Sequence, residues 1–201
     1  LGVFAAITPF NFPGMIPLWF LPYAVATGNT FILKPSEQDP LVPQRLMELL
    51  DQTDFPDGVV QMLNGGKDTV NALLEADGIE GVSFVGSTPV ARHIYETAAA
   101  NGKRVQAQGG AKNHIVVTET ADLDHAARKT VGSAFACAGE RCLANDVAVV
   151  EESVYDEFVE KVVSEAETQV VGSGLDPDTD IGALITPEHE KRVRNFIQTG
   201  I

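Results

Sequence analysis

The strongest constraint on this chain is an alternation. In its first hundred residues a short apolar run, a turn and a helix-period segment follow one another four times. Gly2–Ile7, Thr30–Leu33, Val59–Leu63 and Gly81–Val85 are the apolar runs. Met15–Thr27, Val42–Asp51, Thr69–Glu75 and a segment reaching about Ala100 carry the helical spacing. A run that is apolar throughout, as Gly2–Ile7 is, fits a strand covered on both faces, as in a parallel sheet. Strands alternating with helices imply a doubly wound, Rossmann-like α/β fold. Ligands of such sheets sit at the carboxyl ends of the strands. Those ends hold the unusual residues here: Asn11, Lys34, Glu37, Gly86 and Ser87.

After Gln108-Gly109-Gly110 the texture changes, and a domain boundary is expected near Gly110. Lys112–Thr118 reads as a strand. Asp122 is a candidate N-cap for a helix running to about Ala138. Asp146–Val150 is a further strand, Ser153 opens a helix to about Val171, and a last helix starts at Pro187 after a Gly/Asp/Pro-rich loop. Residues 111–201 therefore read as the start of a second α/β domain.

Composition narrows the partners. The chain has 28 acidic and 14 basic residues, a formal charge of −14, and its acids are scattered rather than gathered in a tail. Long-range repulsion then opposes both nucleic acid and an anionic membrane surface. An acidic cytoplasmic protein accounts for this charge, and so does the cytoplasm of a high-salt organism. The most apolar stretch, Met15–Ala26, is interrupted by Pro17 and Pro22 and reads as a buried helix, not a membrane span. The opening Leu-Gly-Val-Phe-Ala-Ala-Ile lacks a basic lead-in and an initiator Met, so it is expected to be a strand entered mid-sequence in a fragment. Two cysteines five apart, Cys137 and Cys142, form neither a disulfide framework nor a metal-ligand spacing.

Several residues could carry chemistry, and each has a plainer reading. Cys142 follows Gly139-Glu140-Arg141, where a neighbouring cation can favour the thiolate. A buried structural cysteine is the plainer alternative, and it suits Cys137, inside the helical run, better. Asn11 stands between Pro9-Phe10 and Phe12-Pro13, rigid enough to donate to a developing oxyanion or simply to close a turn. Lys34 and Glu37 could hold ribose hydroxyls, the carboxylate disfavouring a 2′-phosphate, or could be a solvated pair. Gly86-Ser87-Thr88 could meet a phosphate at a helix N-terminus or merely cap the helix. Gly-x-Gly-x-x-Gly is absent.

In order along the chain, Thr8-Pro9-Phe10-Asn11-Phe12-Pro13, Lys34-Pro35-Ser36-Glu37, Phe84-Val85-Gly86-Ser87-Thr88 and Gly139-Glu140-Arg141-Cys142 resemble the aldehyde dehydrogenase superfamily. The resemblance implies a partial NAD-binding domain over residues 1–110 and the N-terminal part of a catalytic domain over 111–201. It makes Cys142 the nucleophile and Asn11 the oxyanion donor. Lys34 and Glu37 would bind the adenosine ribose with Gln38 beside it, and Gly86 and Ser87 the pyrophosphate. Thr8 and Phe10 would line the nicotinamide side, where Gly109 also packs. The implied reaction is thiolate attack on a small aldehyde, hydride transfer to NAD and release of the acyl group.

Two departures point within the superfamily. Most members carry Glu-Leu-Gly-Gly-Lys, whose glutamate activates water, whereas this chain has Gln108-Gly109-Gly110-Ala111-Lys112. A carboxamide is no general base, so coenzyme A becomes the expected acyl acceptor. Arg141 beside the nucleophile suits a substrate carboxylate. With Gly110-Ala111-Lys112-Asn113-His114, these features resemble the CoA-acylating methylmalonate-semialdehyde branch. Glu140, where that branch typically has Gln, and Ala91, where the superfamily often has Gly, depart from it. The resemblance further implies that the Glu-x-Phe-Gly-Pro motif and the strand joining subunits of a dimer or tetramer lie beyond Ile201, so that these residues alone are not a competent enzyme. A hydrolytic aldehyde dehydrogenase and a non-catalytic nucleotide-binding remnant are the competing readings.

Overall fold

The computed structural model describes residues 1–201, which divide into two compact units, Leu1–Gly110 and Ala111–Ile201.

The first unit is built on a five-stranded parallel sheet in the order β3-β2-β1-β4-β5. Its strands are β1 (Val3–Ile7), β2 (Thr30–Lys34), β3 (Val60–Met62), β4 (Ile79–Val85) and β5 (Arg104–Gln108), joined by helices α1 (Met15–Ala26), α2 (Leu41–Leu50), α3 (Lys67–Glu75) and α4 (Thr88–Ala100). The chain builds outward from β1 through β2 to β3, then returns to lay β4 on the other side of β1. Alternate side chains of β1 serve opposite faces, as the strand period requires. Ala5 and Ile7 join Leu73 and Leu74 of α3 and Ile94 and Ala98 of α4 in one core cluster. Ala6 packs with Leu21 of α1 and Phe31 and Leu33 of β2 in the other. Both faces of the central strand are thus covered, and its near-continuous apolar sequence is the consequence.

Two features differ from the sequence expectation. Strand β5 lies where no element was expected, because Arg104, Gln106 and Gln108 interrupt its apolar residues. An edge strand paired on one side only, with β4, tolerates that alternation. Helix α1 buries Ile16, Pro17 and Leu21 but leaves Leu18, Trp19 and Tyr23 exposed, so it is not the buried helix its composition suggested.

The second unit pairs β6 (Asn113–Val117) and β7 (Asn145–Val150) in parallel. Helices α5 (Leu123–Ala134), α6 (Tyr155–Glu167) and α7 (Pro187–Gly200) complete it. Asp122 caps α5, its Oδ1 accepting from the His125 N–H at 3.0 Å. Val117, Ala127 and Phe158 form the core, flanked by Ile115, Leu123, Val150 and Val162. Helix α5 stops four residues short of the expected Ala138, since Cys137, Ala138 and Gly139 all take positive φ (52°, 54° and 79°). Helix α6 is also shorter than expected. It follows a 3₁₀ turn at Glu152–Val154 and ends before Val171, which bridges to Ile181 instead. No helix is long and apolar enough to cross a membrane.

Candidate functional site

Strand order fixes where a ligand can enter the first unit. The connections leaving β1 and β4 run to opposite sides of the sheet, which opens a crevice beyond their carboxyl ends. A cavity of about 610 Å³ lies there, within the range of small-molecule sites. It collects Thr8 and Phe10 after β1, Lys34 and Glu37 at the end of β2, and Gly86 and Ser87 after β4. Six residues singled out in the sequence therefore share one wall-to-wall space.

Its polar groups are arranged unevenly. Lys34 is 4% exposed and its Nζ lies 3.1 Å from Glu37 Oε2. The Glu37 carboxyl is held below the ordinary glutamate range, first by its own backbone N–H and then by the Lys34 ammonium, against a raising effect of burial. Ser87 takes the N-cap position of α4, yet its side chain makes no capping hydrogen bond. The plainer capping role is thus unfilled, and the exposed hydroxyl stands at a helix N-terminus suited to an anion. Thr8 Oγ1 is buried without a hydrogen-bond partner, a costly state for a hydroxyl unless a ligand completes it. A buried cation beside a ribose-sized carboxylate, a free helix N-terminus and an orphaned hydroxyl together fit a dinucleotide.

The remaining candidates lie elsewhere. Gln38 is exposed, its backbone N–H donating to Ser36 Oγ at 3.2 Å. Gly109 packs against the start of α4, where a Cβ would come within 3.3 Å of Thr88 Cα. The next residue, Gly110, donates its N–H to Thr88 Oγ1 at 2.9 Å. Asn11 is half-buried in the turn between β1 and α1. Gln108, at the end of β5, borders a second hollow of about 540 Å³ lined also by Phe4, Trp19 and Arg104. The sequence reading missed Lys67, Asn71 and His93, which line the first cavity from α3 and α4. His93 Nε2 lies 2.9 Å from Asn71 Oδ1. Polar residues on a helix read as solvated surface, so only the way the helices flank the crevice reveals them.

In the second unit Cys142 and Cys137 are both exposed free thiols, so neither is the buried structural cysteine of the plainer reading. Cys142 sits on the loop between α5 and β7, next to exposed Arg141. The left-handed Cys137 and Ala138 upstream each cost about 1–2 kcal/mol in a residue with a Cβ. Such strain persists only where the surroundings impose it. Asn113, at the start of β6, does part of this: its Nδ2 donates to Cys142 O at 2.8 Å and to Ala144 O at 2.9 Å. Asp146 Oδ2 in turn accepts from the Asn113 N–H at 2.9 Å. The other side of the loop is held by Glu140, only 11% exposed in its side chain, whose Oε1 accepts from the Ile185 N–H at 3.2 Å. Neither Asn113 nor Glu140 stood out in the sequence as a partner of the thiol's loop.

Residues 1–201 match the aldehyde dehydrogenase family along their whole length. The chain belongs to that family. Among its relatives is a malonate-semialdehyde dehydrogenase of Bacillus cereus (strain B4264), 50% identical over all 201 residues, which make up 41% of that protein. Among solved structures, one described as a methylmalonate-semialdehyde dehydrogenase from Sinorhizobium meliloti 1021, complexed with NAD, superposes with a TM-score of 0.97. It is 49% identical and covers all of this chain and 41% of its own. A methylmalonate-semialdehyde dehydrogenase from Oceanimonas doudoroffii gives a TM-score of 0.96 at 48% identity, over 98% of this chain and 41% of its own. This member of the family thus spans about two fifths of the length of the relatives it matches.

Proposed function

We propose that the complete protein oxidises an acidic semialdehyde, malonate or methylmalonate semialdehyde, with NAD and passes the acyl group to coenzyme A. The observation that carries this reading is Cys142, an exposed thiol beside an arginine on a strained loop held from two sides. Cys142 Sγ attacks the aldehyde carbon, forming an S–C bond and an oxyanion that the Asn11 amide stabilises by donation. Bound NAD supplies the hydride acceptor. With that acceptor bound, the carbon would give up its hydride and stay held by Cys142 Sγ as a thioester. Attack by the thiol of coenzyme A then moves the acyl group and frees Cys142. Arg141 holds the substrate carboxylate through its planar fork.

Residues 1–110 serve as the NAD-binding part and 111–201 as the first part of the catalytic one. In the crevice, Lys34 and Glu37 take the adenosine ribose with Gln38 alongside, and Gly86 and Ser87 the pyrophosphate. Thr8, Phe10 and Gly109 approach the nicotinamide half. The S. meliloti relative's complex with NAD supports this assignment. Gln108 supports coenzyme A over water, because its carboxamide cannot take a proton from water. The names of the relatives support the semialdehyde. The assembled enzyme is a cytoplasmic homo-oligomer, and its acidic surface suits a high-salt organism.

The test is NADH formation by a polypeptide of the relatives' full length containing these residues, with and without coenzyme A. Turnover that requires coenzyme A and yields an acyl-CoA is expected. Coenzyme A-independent flux to the free acid would make the enzyme hydrolytic and overturn the acceptor assignment.

A further inference from the structure

The loop that carries Cys142 spends three successive residues in left-handed conformation, Cys137, Ala138 and Gly139, before the chain reaches Glu140. Asn113 restrains only the downstream end, through the carbonyls of Cys142 and Ala144. The upstream, strained end needs its own restraint, and Glu140 is the residue placed to give it. Its largely buried carboxylate accepts from the Ile185 N–H at 3.2 Å and lies 3.5 Å from His189 Nε2. Ile185 and His189 flank Thr186, the N-cap of α7, whose Oγ1 accepts from the His189 N–H at 3.1 Å. A carboxylate at that end of a helix also meets the positive end of its dipole.

We infer that Glu140 is a positioning residue for Cys142, fastening the strained side of the nucleophile loop to the N-terminus of α7 through Ile185 and His189. The inference rests on Cys142 being the nucleophile. Glu140 itself touches no reacting atom. Without it the left-handed turn loses its tie to α7 and relaxes, and the thiol loses its fixed bearing.

Both the anchor and its effect on the thiol can be read in the 201-residue chain. Amide hydrogen exchange reads the anchor: Glu140→Ala should raise exchange at residues 136–144 and at Ile185 about tenfold, leaving β1–β4 unchanged. Glu140→Gln keeps an oxygen to accept from Ile185 and should stay within about twofold of the parent. p-Nitrophenyl acetate reads the thiol, since acylation forms the S–C bond at Cys142, breaks the aryl ester C–O bond and releases p-nitrophenolate. Acyl-Cys142 measured by mass spectrometry should form about tenfold more slowly in Glu140→Ala and recover in Glu140→Gln. Equal exchange in parent and Glu140→Ala overturns the anchor. Equal acylation of Cys142 in both overturns the positioning role while leaving Cys142 reactive. A parent chain acylated at Cys137 and not at Cys142 overturns the nucleophile assignment instead, and the inference with it.

Discussion

The two units of this chain are built from the same elements to different degrees of completeness. Residues 1–110 cover both faces of a central strand, and most of the deeply buried side chains, among them Ile16, Phe31, Leu33, Leu74 and Ile94, belong there. Residues 111–201 have a two-stranded sheet and bury only Val117, Ala127, Val131, Ala144 and Phe158 to that degree. Two strands supply little sheet stability of their own. The candidate crevice therefore sits on the firmer unit, and the thiol sits on a strained loop of the less buried one. Binding needs a preformed cavity, whereas a nucleophile, the role proposed for Cys142, needs only local restraint, and Asn113 and Glu140 bond to its loop side chain by side chain.

The largest effect separates the two roles. In the full-length protein, Cys142→Ala should lower NADH formation by roughly four orders of magnitude or more, as removal of a covalent nucleophile does. NAD binding, followed by titration calorimetry, should be unchanged. A loss of NAD affinity of similar size would erase the division between a binding unit and a reacting one.

Stability should divide the same way. Ile94, fully buried in the first unit, should cost about 2–5 kcal/mol on truncation to alanine. Hydrogen exchange of the parent chain should show stronger protection in β1 and β4 than in β6 and β7. Equal protection would mean that the sparse second core is as cohesive as the first. Phe158→Ala should accelerate exchange in β6, β7 and α5 while β1–β4 keep their protection.

How legible each unit was in the sequence follows from the same contrast. Strands β1 to β4 announce themselves as short, mostly apolar runs between turns, so they and their helices were readable. The edge strand β5 was not, because Gln106 and Arg104 answer to solvent and to the second hollow rather than to a core. That Lys34, Glu37, Gly86 and Ser87 gather around one cavity was legible because they stand at strand ends, where this topology opens its crevice. His93 and Asn71 were not, since nothing local distinguishes a cavity-facing helix residue from a solvated one. In the second unit the end of α5 was misjudged, because Cys137 and Ala138 favour helix by composition and leave it only under tertiary restraint. Asn113 and Glu140 bind the loop across 29 and 45 residues of chain, distances over which local pattern carries no information.

A subtler effect concerns the acceptor. Gln108→Glu in the full-length enzyme should shift the acyl-thioester from coenzyme A toward water, with hydrolysis rising about 100-fold if the new carboxylate acts as a general base. Product analysis by mass spectrometry gives the partition. An unchanged partition would mean that position 108, at the end of β5, does not face the thioester, and the preference for coenzyme A would need another cause.

The smallest effect compares one carboxylate from each unit. Glu37 is held below its ordinary range by its own backbone N–H and by Lys34, and Asp122 is held low first by the His125 N–H it caps. A carboxyl whose folded pKa is depressed contributes stability above its unfolded value, and that contribution disappears as pH falls through the folded value. Both contributions are therefore fully present at neutral pH and decline as pH falls below the unfolded value of about 4, through the lower folded one. The Glu37 side chain is 59% exposed, so solvent screening limits its pair with Lys34 to under about 1 kcal/mol. Urea unfolding of Glu37→Gln should show a slightly lower midpoint at pH 7 and a smaller deficit at pH 3, with the acid limb of exchange in α5 unmoved. Asp122→Ala should do the reverse, weakening α5 at pH 7 and leaving β2 untouched. A Glu37→Gln deficit undiminished at pH 3 would mean that the side chain acts through its shape rather than its charge.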